Sequence, residues 1–215
     1  MQPIEAILLE PVGCMAEFPP APFQEIAVRL FQRRKQPSTS GSRSYWHLLN
    51  LMESESAETI ESLELEAVES AEVYDDVKPA LTELKAMGVR LFLTSSLSAS
   101  AASRFALKTG LESCFESIWN RDNSGGVKVA PLQGAVVAAA LNPERAIFLA
   151  DTLEGLKTAA AAKVNAVLMM NDPDEARRLA LHNPSSGPAR GIVSFHELPD
   201  FVRLVSAKAR YRTNS

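Results

Sequence analysis

Three short apolar stretches of this chain end in side chains able to do chemistry. Ile4–Leu9 runs into Glu10-Pro11-Val12-Gly13-Cys14, which offers a carboxylate, a turn-forming glycine and a thiol within five positions. Val89–Leu93 runs into Thr94-Ser95-Ser96, three consecutive hydroxyls, and Ala146–Ala150 runs into Asp151. A lone lysine, Lys128, stands three residues ahead of Pro131. Carboxylates placed this way can move a proton or hold a hard cation. A Thr94 hydroxyl could donate to an oxyanion. The same residues also have structural uses: Thr94 and Ser95 suit the cap of a helix starting at Ser98, Asp151 suits the N-cap of a helix over Leu153–Lys163, and a loop lysine is ordinarily solvated. Other chemistries are disfavoured. His47, His182 and His196 are scattered without metal-ligand spacing, and Cys14 and Cys114 lie far apart, so a zinc site is not expected. Walker, Gly-x-Gly-x-x-Gly and Gly-x-Ser-x-Gly patterns do not occur.

The elements that must position these residues read as one α/β domain. The 215 residues are 46% apolar and 22% charged, with a net charge of −4, an ordinary globular composition that gives no reason to expect a nucleic-acid partner. No apolar run has membrane-spanning length and no basic, apolar leader opens the chain, so a cytoplasmic location with reduced thiols and no membrane partner is expected. Apolar runs at Ile4–Leu9, Val89–Thr94, Ala146–Ala150, Ala166–Met170 and, more weakly, Gly191–Phe195 read as buried parallel strands. Helical patterns lie between them over Val77–Met87 (ending at Gly88), Ser98–Thr109 (ending at Gly110), Pro131–Leu141, Leu153–Lys163 and Pro173–Leu181. Alternation of this kind predicts a doubly wound, Rossmann-like parallel sheet of about five strands. Between the first strand and Val77, helical patterns at Phe23–Lys35, Ser44–Met52 and Ala57–Ala71 predict a small helical insertion. The division is residues 1–15 and 75–215 for the core and 16–74 for the insertion. From Ser44 to Val77 there are ten acidic residues and no Lys or Arg, which reads either as a solvated face or as a surface for a cationic partner, with Glu61, Glu64 and Glu66 at its centre. The basic tail with Lys208, Arg210 and Arg212 is expected to fray.

In order and spacing these pieces resemble the haloacid dehalogenase superfamily, in particular its phosphoglycolate-phosphatase-like branch with a small helical cap. Val73–Leu81 with Lys85–Val89, Thr109–Ile118, Gly125–Pro131 and Phe148–Gly155 carry the resemblance beside the first-strand loop. A response-regulator receiver, the nearest rival, would need an acidic cluster that is missing. The resemblance implies a nucleophilic Asp at the end of the first strand, a second Asp two positions on as proton donor, Mg²⁺ held by carboxylates, and a Thr/Ser and a Lys on the phosphoryl oxygens. Carried over position by position, Glu10, Thr94 and Lys128 fall on the catalytic positions; Glu10, the carbonyl of Val12 and Asp151 fall on the metal positions. The family's Asp-x-Asp-Gly-Thr is Glu10-Pro11-Val12-Gly13-Cys14 here. Glu10 is a methylene too long, a misplacement that can cost ~10²-fold. Val12 carries no proton, removing a further ~10²–10⁴-fold. Val129 and Ala150 replace a usual proline and glycine, and Gly155 stands where a second acid is expected, with Glu154 one place early. The expected function is therefore binding or regulation without phosphatase chemistry, through a small phosphorylated molecule or a protein partner. The alternative is an active Mg²⁺-dependent phosphatase with Glu10 as nucleophile.

Overall fold

The computed structural model describes residues 3–24, 41–50, 57–171 and 190–213. Six parallel strands form the main sheet: β1 (Ala6–Leu9), β4 (Arg90–Thr94), β5 (Ser117–Trp119), β6 (Ala146–Ala150), β7 (Asn165–Met169) and β8 (Arg190–Ile192), in the order β5-β4-β1-β6-β7-β8. Five are the apolar runs of the sequence. The sixth, β5, has three half-buried residues at the sheet edge, too short and too polar to stand out.

Strand side chains alternate between two cores, as a sheet covered on both faces requires. Ile7 and Leu9 of β1, with Leu91, Leu93, Ile147 and Leu149, face one layer. It is built from α3 (Val77–Ala86), α4 (Ala99–Thr109) and α8 (Glu197–Thr213). Ala6 and Leu8, with Phe92 and Phe148, face α6 (Val129–Ala138) and α7 (Leu153–Ala161) on the other side. The strand order turns back at β1, and the carboxyl ends of β1, β4 and β6 beside that point are where open sheets of this kind place a ligand crevice.

Helix ends follow local chemistry. Gly110, left-handed at φ 65°, closes α4, while Ser98 begins it by accepting the Ala101 N–H. Two other helices end short of the sequence expectation. α6 begins at Val129 and stops at Ala138, since Ala140 takes φ 49° and Leu141 N–H returns to Val136 O. α7 stops at Ala161, with Lys163 at φ 60° and Val164 N–H bonded to Ala159 O. Both are Schellman closures built without glycine, so the residue signal was absent. The basic tail, expected to fray, is assigned to α8, which runs on to Thr213. No helix among the described residues is long and apolar enough to cross a membrane.

After β1 the chain leaves through β2 (Ala16–Glu17), which pairs antiparallel with β3 (Glu72–Val73) as a two-stranded neck. Beyond the neck lie α1 (Gly41–Leu49) and α2 (Ala57–Ser70). Most of the helix predicted over Phe23–Lys35, and all of that over Pro173–Leu181, lies outside the described residues. The insertion shares the larger core: Phe18 stacks on Phe105 of α4 with ring centroids 5.8 Å apart, and Phe23 lies 5.1 Å from Tyr45 of α1.

Candidate functional site

The register of the sheet brings three of the sequence candidates to one place. β1 pairs with β4 through Leu9↔Leu93 and with β6 through Leu9↔Leu149. The next residues along, Glu10, Thr94 and Ala150–Asp151, therefore leave the sheet side by side. Glu10 is 4% exposed and Asp151 3%, and Val12 and Thr94 are fully buried. Lys128 lies on the loop before α6, in a strained backbone conformation (φ 61°, ψ −95°).

Glu10 sits among hydroxyl and amide donors. Ser95 Oγ donates to its Oε1 at 2.8 Å and the Val12 N–H approaches at 3.4 Å. Burial is the dominant influence on its carboxyl. The two donors lower the pKa and the nearby Asp151 charge raises it, leaving the group pushed up to about 8. Glu10 is therefore mostly protonated at neutral pH. Burial, together with Asp151 and Glu10, also pushes the Cys14 thiol well up. That thiol donates to Leu149 O at 3.4 Å and is a structural group rather than a nucleophile.

The remaining candidates are held by the insertion. Ser42, on the first turn of α1, donates its hydroxyl to Asp151 Oδ2. Gly13, at φ 79°, makes room for that contact: a Cβ there would overlap Ser42 Oγ and Asp151 Oδ2 and lie 2.8 Å from Asp151 Cγ. The Lys128 ammonium donates to Asn50 Oδ1, just past α1, and its backbone N–H donates to Ser96 Oγ at 2.7 Å. Thr94 Oγ1 is buried with no hydrogen-bond partner among the described residues. The capping roles that the sequence offered to Thr94, Ser95 and Asp151 fall elsewhere, to Ser98 for α4 and to Thr152 for α7, which accepts the Gly155 N–H at 3.1 Å.

The acidic run also resolves differently. Glu64 is not on the surface: it is fully buried and paired with Nη1 of Arg121, the first residue of the short helix α5 (Arg121–Ser124). Ser98 N–H (3.0 Å) and Tyr45 O–H (3.3 Å) also donate to its carboxylate. Burial pushes Glu64 upward while the guanidinium and these donors pull back. Burial likewise opposes the charge on Arg121, but Glu64 outweighs it and holds the guanidinium above its ordinary range. Sequence reasoning missed Ser42, Asn50 and Arg121, and noted Ser95 only as a neighbour of Thr94 and a cap candidate. One signal was available: Glu64 falls on the apolar stripe Ile60, Leu63, Ala67 of α2, where a buried acid demands a partner.

The donors present suit Mg²⁺ poorly: Glu10 is a methylene longer than the expected aspartate and accepts from Ser95 Oγ, and Asp151 already accepts from Ser42. Among the described residues no three His, Cys, Asp or Glu side chains group as metal ligands.

Comparison with known proteins is consistent with this architecture. The family model of the haloacid dehalogenase-like hydrolases matches residues 17–163, starting just beyond Glu10–Cys14. An enolase-phosphatase E1 of Frankia alni is 33% identical over 133 residues, 60% of this chain and 53% of that protein. A phosphoglycolate phosphatase of Cereibacter sphaeroides is 29% identical over 136 residues, 63% of this chain and 60% of the relative. The chain thus matches only about half to three-fifths of the length of these curated relatives. Among solved structures, the L-2-haloacid dehalogenase of Xanthobacter autotrophicus superposes with a TM-score of 0.63 at 12% identity, covering 93% of this chain and 98% of that one. A phosphatase from Thermococcus onnurineus gives 0.62 at 16% identity, with 93% and 98% covered. At such identities the likeness is one of fold.

Proposed function

Because the chain belongs to the haloacid dehalogenase-like hydrolase family, we propose that it is a member that keeps the fold, has lost phosphoryl transfer and works by binding. The observation that carries this reading is the make-up of the loop after β1, where Glu10, a methylene longer than an aspartate, is buried with its carboxyl engaged by Ser95 Oγ. Beside it, Val12 offers no proton for a leaving group. Residues 16–74 serve in this reading as the small helical cap over the crevice. Thr94, which keeps a buried hydroxyl without a partner among the described residues, supports a small phosphorylated molecule as the ligand. The two free, buried cysteines support a reducing, cytoplasmic setting. The rival reading, an active Mg²⁺-dependent phosphatase using Glu10, draws its support from the phosphatases among the relatives.

Restoration of the first motif tests the proposal. Hydrolysis of p-nitrophenyl phosphate and acetyl phosphate, with Mg²⁺ in excess, is compared for the wild type and the double change Glu10→Asp/Val12→Asp. The proposal expects a silent wild type and a gain on the order of 10²-fold or more over it in the double variant, the size of the lost acid–base contribution. A folded double variant with no gain would move the cause of silence away from Glu10 and Val12 and overturn this account.

A further inference from the structure

Position 155, where the resemblance to this family places a second acid on the loop after β6, holds glycine. Gly155 is buried in the first turn of α7, where its N–H donates to the Thr152 hydroxyl that caps the helix. Glycine weakens a helix relative to alanine, so its place here needs a packing reason. The reason is Ala150. A Cβ at position 155 would lie 2.7 Å from the Ala150 Cβ, against the roughly 3.5–4 Å of ordinary carbon contact.

Neither side can yield. Ala150 is 2% exposed, is the last residue of β6, and lies in register with Leu168 of β7. Its methyl has no rotamer to change and packs in the core beneath α6 and α7. Gly155 in turn is fixed by the capped first turn of its helix. Glu154, one place early, does not stand in for the missing acid, because successive helical side chains point about 100° apart.

We propose that Ala150 and Gly155 are a coupled pair that closes the loop after β6 to a divalent cation, because the methyl of Ala150 takes the space that the first carbon of an acid at 155 needs. The loss of that acid is fixed by packing and is not reversible one residue at a time. The pair acts with the Ser42 hydroxyl on Asp151 Oδ2 and the Ser95 hydroxyl on Glu10 Oε1, which already engage the other two carboxylates. This crevice therefore takes its ligand without a divalent cation. That statement about the ligand rests on the binding reading above, whereas the packing of β6 on α7 stands apart from it.

A double-mutant cycle on the full chain tests the pairing, read as melting temperature by circular dichroism. In a helix, glycine to alanine ordinarily stabilises. Gly155→Ala should instead lower the melting temperature of the wild type and raise it in an Ala150→Gly background. The two effects should lie about 2–12 °C apart, a coupling expected only of groups in contact. Should Gly155→Ala fail to fold alone, its recovery beside Ala150→Gly shows the same coupling. The closure is read in the same melts with millimolar Mg²⁺. Gly155→Asp should gain no shift, while Ala150→Gly/Gly155→Asp should gain a saturable rise. Equal effects of Gly155→Ala in the two backgrounds would overturn the pairing. A Mg²⁺ response already present in Gly155→Asp, or none in the double variant, would overturn the closure. No readout here is turnover, so hydrolysis dependent on Glu10 would overturn the proposed function and leave the pairing standing.

Discussion

Replacement of Gly13 by alanine should cost more than the same change at Gly88, although both glycines sit at φ 79°. A left-handed alanine carries about 1–2 kcal/mol of backbone strain. The restricted unfolded chain returns roughly 0.4–1 kcal/mol of that. A methyl group on Gly88 would have no neighbour within 4 Å, so these terms are its whole cost, about 0–1.6 kcal/mol. At Gly13 the methyl meets Ser42 Oγ and Asp151 Oδ2, both buried, with Asp151 Cγ 2.8 Å away. Overpacking of that kind adds about 1–3 kcal/mol. At roughly 2–4 °C per kcal/mol for a chain of this size, Gly13→Ala should melt about 2–12 °C below Gly88→Ala. Thermal unfolding followed by circular dichroism reads the gap directly. Adding Ser42→Gly to Gly13→Ala should recover part of it, a coupling expected only of groups in contact. Equal melting temperatures for the two alanine variants would refute the tight packing of the insertion against the first-strand loop.

Stability should also depend on pH through Glu10. Its pKa is 4.5 in an ordinary setting and about 8 here, so the folded chain holds the proton more tightly. The resulting contribution is complete below about pH 4.5 and is lost as pH rises towards 8, at up to about 1.4 kcal/mol per pH unit. Glu10→Gln, neutral throughout, should remove that slope in urea titrations between pH 5 and 8; identical slopes would contradict the burial account. Arg121→Met should destabilise by about 3–5 kcal/mol in the same titrations by stranding the Glu64 carboxylate, whereas Arg104→Ala, at an exposed and solvent-screened pair with Glu69, should change stability far less. Comparable losses at the two sites would contradict the buried pairing. Millimolar Mg²⁺ should leave the melting temperature of the wild type unchanged, and a saturable rise would mean that Glu10 and Asp151 do form a cation site.

Much of the sheet was legible because buried parallel strands are short apolar runs closed by glycine, proline or polar residues, as in Ala6–Leu9 and Ala146–Ala150. β5 was hidden because an edge strand of three half-buried residues buries too little to leave such a run. Helix ends were legible at Gly88 and Gly110, and illegible where Ala140 and Lys163 adopt the left-handed conformation with no glycine to mark it. Glu10, Thr94 and Asp151 were found one strand at a time, since each stands at a strand end. What they touch was not. The contacts of Ser42 with Asp151 and of Glu64 with Arg121 join residues 109 and 57 positions apart, and only tertiary packing sets them. The acidic run illustrates the point: its charge count suggested an outward face, while the apolar stripe that includes Glu64 pointed inward.

The most direct measurement is turnover of acetyl phosphate by the wild type beside Glu10→Gln, with Mg²⁺ present and the pH taken from 6 to 9. Both proteins should stay at the uncatalysed background up to neutral pH, with no difference between them. Hydrolysis by the wild type near neutral pH that Glu10→Gln abolishes would contradict the loss of phosphoryl transfer and make Glu10 a working nucleophile.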